Sequence, residues 1–127
     1  MTEERILVCD DDDDVRAVLA LSLEAVGGFR VVQARSGKEA LALYPSSTPD
    51  LVVLDVMMPD LDGPSTLERL RRLPGGRRAR VVFLSARSEP AEVARLQRLG
   101  VDDVLEKPFD PMTLPDRLRA ILERRSA

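Results

Sequence analysis

Asp10 and Asp11 close the apolar run ILVC, Asp55 closes LVVL, Ser85 closes RVVFL, and Lys107 follows DVLE. Carboxylates crowded at one place repel one another. Three of them, if brought together, suit a hard cation that keeps several waters, such as Mg2+. A hydroxyl and an amine beside that cation would give the electrostatic stabilisation on which phosphoryl transfer depends. The chain contains no histidine, so Ser-His and Cys-His nucleophile pairs and histidine metal ligands are excluded. The nucleophile left for such chemistry is a carboxylate, which would become an aspartyl phosphate. Asp55 is the central candidate.

Composition narrows the setting. The 127 residues, 44% hydrophobic and 32% charged, predict one soluble domain over residues 1–127 that buries a core without staples. No apolar run approaches a bilayer's width, and the opening MTEER lacks a signal-peptide pattern, so the expectation is a cytoplasmic protein with no membrane partner. A formal net charge of −3 argues against direct binding to nucleic acid, where phosphate neutralisation dominates. The single Cys9 can form neither an internal disulfide nor a thiolate zinc site; beside the acidic pair on a buried strand, it reads as a small core residue.

The elements that must carry these side chains alternate. RILVCD, RVVQA, LVVLD, RVVFLSA and DVLEK are short, continuous apolar runs of the kind covered on both faces. A first helix is predicted with Val15, Val18, Leu19, Leu23 and Val26 on its apolar stripe and a stop at Gly27 and Gly28. A second covers SGKEALALY, with Ser36 and Glu39 at capping-box spacing. A third spans roughly 64–73 with Leu67, Leu70 and Leu73. The fourth spans roughly 90–99, between Pro90 and Gly100. The last runs near 111–125, its regular part starting at Thr113 or Leu114 because of Pro115. Five strand–helix alternations predict a doubly wound α/β fold with a parallel sheet. Its site should lie beyond the carboxyl ends of the strands, where all five residues fall.

With these residues in view, the sequence resembles the receiver domains of bacterial two-component response regulators. The resemblance rests on the acidic pair in ILVCDD, the segment LDVMMPDLDG, LSA and KPF, in that order, and covers essentially the whole chain. It implies a five-stranded flavodoxin-like fold and a phosphoacceptor that is a switch and no turnover enzyme. Asp55 would accept a phosphoryl group from a histidine kinase or histidine phosphotransfer protein. Asp11 would ligate Mg2+, or Mn2+ in its place, directly, Asp10 largely through water, and Met57 through its backbone carbonyl. Ser85 and Lys107 would bond the phosphoryl oxygens, and the Lys107–Pro108 bond would be cis. An unidentified downstream protein would read the switch through the fourth helix, fifth strand and fifth helix.

The plain readings of the remaining residues stand beside these. Asp12, Asp13 and Asp14 sit where acidic groups cap a helix and suit its dipole. An EF-hand loop counted from Asp10 would put Val15 at the glycine position and Leu21 at the glutamate. The arginines at 69, 71, 72, 77, 78 and 80 read as a solvated face and loop. Val104 stands where the family often has an aromatic switch residue, so output should pass mainly through the Ser85 loop and fourth helix. In the family, the residue equivalent to Arg87 influences phosphoryl lifetime. The alternatives are a Mg2+-dependent phosphohydrolase, disfavoured because Met57 replaces a second acid, a receiver cut from a larger regulator or hybrid kinase, and a receiver-like module that is never phosphorylated.

Overall fold

Strands rich in Val and Leu and apolar on both faces need cover above and below. The computed structural model describes residues 4–124. Its strands β1 (Arg5–Cys9), β2 (Arg30–Ala34), β3 (Leu51–Asp55), β4 (Val81–Ser85) and β5 (Asp103–Glu106) form one parallel sheet in the order β2-β1-β3-β4-β5. Helices α1 (Asp13–Leu21), α2 (Gly37–Ser47), α3 (Gly63–Leu70), α4 (Pro90–Gln97) and α5 (Leu114–Arg124) alternate with them. This is the flavodoxin-like α/β fold that the sequence predicts.

The period of two along each strand divides the core. Ile6, Val8, Leu51, Val53, Val82 and Leu84 face Leu19 and Leu23 from the first helical segment and Leu118 and Ile121 of α5. Leu7, Cys9, Val52, Leu54, Val81 and Phe83 face Tyr44, Leu67, Leu70 and Leu96 from α2, α3 and α4. Burying each such side chain contributes roughly 1.5–3 kcal/mol against leaving it in water. The chain leaves β1 outward to β2 and then crosses back to β3, so the loops after β1 and β3 part company. That divergence opens the crevice at which doubly wound sheets place their sites.

Several boundaries differ from expectation for identifiable reasons. The predicted stripe on α1 fails at Val18 and Val26, each 46% exposed, while Arg16 is buried with Leu19 and Ala20. After Leu21 the helix widens into a π-helical turn, Ser22–Val26, which breaks the 3.6-residue spacing that would align Val26 with Leu19. There Ser22 Oγ donates to Pro111 O at 2.5 Å, tying this turn to the approach to α5. The Ser36 hydroxyl caps α2 by accepting from Glu39 N at 3.1 Å. The Glu39 carboxylate accepts from Arg35 N at 2.7 Å, so the reciprocal half of the box is displaced by one residue.

α2 continues past Tyr44 through Pro45 to Ser47. α3 stops at Leu70, three residues short of Leu73, and the chain turns through Gly75 at φ +79°. α4 ends at Gln97 and α5 begins at Leu114; residue 125, in the predicted last helix, lies outside the described residues. Among the arginines read as solvated, Arg71 is a brace instead. Its guanidinium donates to Gly76 O at 2.9 Å, Ala79 O at 2.6 Å and Gly100 O at 3.2 Å. No described helix is long and apolar enough to cross a membrane.

Candidate functional site

β1 ends at Cys9 and β5 at Glu106, so Asp10 and Lys107 are the first loop residues beyond their strands, whereas Asp55 and Ser85 are the last residues of β3 and β4. Parallel register brings these ends to one edge: Cys9 pairs with Leu54, Asp55 with Leu84, and Ser85 with Glu106. Carboxylate oxygens of Asp10, Asp11 and Asp55 all lie within 4.8 Å of one another. Lys107 Nζ sits 2.8 Å from Asp10 Oδ2 and 3.0 Å from Asp55 Oδ1. Asp10 and Asp55 are buried and Asp11 is exposed.

Local structure fixes each group. Asp10 N donates to Ala34 O at 3.2 Å, and Asp10 Oδ1 accepts from Asp12 N at 2.9 Å. Asp10 Oδ2 contacts the Lys107 ammonium but has no well-directed hydrogen bond among the described residues. Lys107 N donates to Ser85 O at 2.8 Å, holding the β5 exit against β4. Gly63 N donates to Val56 O at 2.9 Å, closing the loop after Asp55 onto the start of α3. Asp62 caps that helix through Ser65 N at 2.8 Å. The Lys107–Pro108 bond is cis.

Asp55 is held in an environment that disfavours its charge. Burial raises the proton affinity of Asp55; the Lys107 hydrogen bond opposes that rise and the Asp10 charge adds to it. Lys107 shows the inverse balance: burial favours loss of its proton, and its close ion-pair contacts with the Asp10 and Asp55 carboxylates outweigh it, so its pKa is raised. With all four groups ionised, three carboxylates and one ammonium leave two net negative charges, matching a divalent cation. The oxygen-only donor set and the under-bonded Asp10 Oδ2 fit Mg2+ or Mn2+.

The other predicted residues are placed as follows. Ser85 is 2% exposed. Its hydroxyl donates to Arg87 O and accepts from Arg87 N, both at 3.1 Å, so it is turned into its own loop. The Met57 side chain is 63% exposed beside the site. Val104 is half-buried against the α2–α4 side of the core. Asp12 caps α1, accepting from Asp14 N at 2.9 Å and Val15 N at 3.1 Å. Cys9 is buried at this edge, and desolvation, with the neighbouring Asp10 and Asp55 charges, pushes its thiol up to about 12. An apolar groove of about 470 Å3 beside Lys107 is lined by Val15, Val18, Ala86, Pro108 and Phe109.

Arg16 belongs to the same neighbourhood and was missed by apolar periodicity, which treats a cation in α1 as solvated. Its guanidinium reaches Asp10 O and Asp13 Oδ1. The only signal in the sequence is one cation directly following five aspartates and a valine.

The profile of the family described as "Response regulator receiver domain" matches residues 6–119. The response regulator MprA of Mycolicibacterium vanbaalenii is 45% identical over 120 residues, which cover 94% of this chain and 51% of that protein. A probable transcriptional regulator, ycf27 of Guillardia theta, is 38% identical over 126 residues, 97% of this chain and 47% of its own length. The chain thus spans about half the length of these relatives. The receiver domain of the Francisella response regulator 1452 superposes with a TM-score of 0.87 at 33% identity, covering 97% of this chain and 99% of that one. A profile match over most of the chain, joined to the same fold, makes this protein a member of the response regulator receiver family.

Proposed function

We propose that this chain, as one receiver domain over residues 1–127, accepts a phosphoryl group on Asp55 from a phosphohistidine of a kinase or phosphotransfer protein. The observation that carries the reading is the bridging ammonium. Lys107 Nζ stands 2.8 and 3.0 Å from two carboxylates of a three-carboxylate cluster, placed there by independent strands. The Asp55 carboxylate attacks phosphorus, and the phosphorus–nitrogen bond breaks with its electron pair returning to the donor imidazole. When bound by Asp10, Asp11, Asp55 and the Met57 carbonyl, Mg2+ would supply a charge that relieves carboxylate repulsion and draws phosphoryl oxygens. Lys107 exchanges its contact with Asp55 for a phosphoryl oxygen. The apolar groove beside Lys107 offers the donor protein a surface in reach of Asp55.

Ser85 supplies the switch. A hydroxyl has a single proton to donate, and Ser85 spends it on Arg87 O. Bonding a phosphoryl oxygen therefore requires release of that carbonyl, which frees the loop leading to α4. A downstream protein reads this change across α4, β5 and α5 as a shift between two conformations. A cytoplasmic setting without direct contact to nucleic acid or membrane belongs to the same proposal.

The test is intact-protein mass spectrometry after incubation with phosphoramidate, with and without Mg2+, on the native chain and Asp55→Asn. One Mg2+-dependent phosphoryl adduct, lost in the variant, is expected. A folded native chain without an adduct would instead leave a receiver-like module that binds partners unphosphorylated.

A further inference from the structure

Arg16 is the fourth residue of α1, where a cation faces the positive end of the helix dipole. Its side chain is also 11% exposed, whereas Asp13, its ionic partner at 2.5 Å, is 79% exposed. A solvated i,i+3 pair needs neither feature and contributes little to stability. The inward half of the fork explains the burial: Arg16 Nη1 donates to Asp10 O at 2.9 Å.

That carbonyl belongs to the peptide joining Asp10 to Asp11, and a peptide unit is a rigid plane. Holding the Asp10 oxygen therefore holds the Asp11 N–H and the direction in which Asp11 leaves the strand. The exposed Asp11 carboxylate accepts no hydrogen bond among the described residues, so the backbone is what directs it. We propose that Arg16 is a positioning residue of the cation site, anchoring the Asp10–Asp11 peptide so that the Asp11 carboxylate converges with those of Asp10 and Asp55. This rests on the reading of those three carboxylates as the cation's ligands.

Charge and geometry predict opposite signs, which makes the idea testable. A buried guanidinium repels a dication, so removing it for its charge alone would tighten binding. Removing it as an anchor weakens binding by about 10-fold, the scale on which outer-shell partners act. Mn2+ titrations read from the paramagnetic resonance of the free ion would compare the native chain, Arg16→Met, Arg16→Lys and Asp11→Asn. The expected order is tight native binding, about 10-fold weaker Arg16→Met, and Arg16→Lys between them, because one nitrogen cannot hold both acceptors. The Asp11 amide resonance should shift in both Arg16 variants.

Native-like or tighter affinity in Arg16→Met overturns the assignment while leaving the carboxylate site intact. If Arg16→Met does not fold, native affinity in Arg16→Lys overturns it. A native chain that binds Mn2+ no better than Asp11→Asn overturns the site and this inference together.

Discussion

Asp55 carries its charge against the preference of its surroundings, and that tension has a measurable sign. Its folded pKa is raised, chiefly by burial, with Lys107 opposing. Such a group contributes most to stability while protonated, below its unfolded value of about 4, and loses that contribution as pH rises through the folded value. Asp55→Asn, which never ionises, is therefore expected to melt higher than the native chain at pH 7 in chelator. An advantage of about 1 kcal/mol corresponds to roughly 3–5 °C for a domain of this size, and it should shrink toward pH 4. Melts across that range would contradict this account if the native chain were the more stable at pH 7. The residue types at the site are legible in the sequence because acids, a hydroxyl and an amine close successive apolar runs. Their partnerships are not. That Lys107 bridges Asp10 and Asp55 depends on elements distant in sequence, whereas Ser85 facing Arg87 and Arg16 turning inward depend on side-chain directions within single loops and turns that residue types do not encode.

Among the elements, the strands are the more readable class, because doubly covered strands leave continuous apolar runs. Helix faces are less so: the wide turn at Ser22–Val26 shifts the register that a constant period assumes. The close seat of α3 shows how an element's entry limits its site. A Cβ added at Gly63 would stand 2.6 Å from Asp55 O and 2.9 Å from Val56 Cα, both backbone atoms that cannot swing away. Gly63→Ala should cost about 1–3 kcal/mol, measured by urea unfolding, and slow adduct formation by displacing β3's end; native values for both would show that α3 can shift freely. With Val104 half-buried where an aromatic switch residue is common in the family, output is expected to run through the Ser85 loop and α4. Amide spectra of free and phosphorylated protein should differ over residues 85–97, and identical spectra there would rule that path out.

For the molecule as a whole, a cation held by the three carboxylates would be linked to folding, since they converge only in the native sheet. Mg2+ at ten times its dissociation constant should stabilise the native chain by about 1.4 kcal/mol, and Asp55→Asn should gain less. Equal gains in differential scanning calorimetry would place the ion elsewhere. Cys9 adds a consequence of a different kind. Its sulfur is fully buried against Ser36 O and Met58 Sδ at 3.2 and 3.5 Å, on the strand that leads into Asp10. Alkylation needs the thiolate and access to it, and the closed sheet denies both. The lone thiol is thus a native clock: each labelling event records an opening that uncovers the Cys9 sulfur from Ser36 and Met58, and the ticking should slow when the carboxylates are bridged.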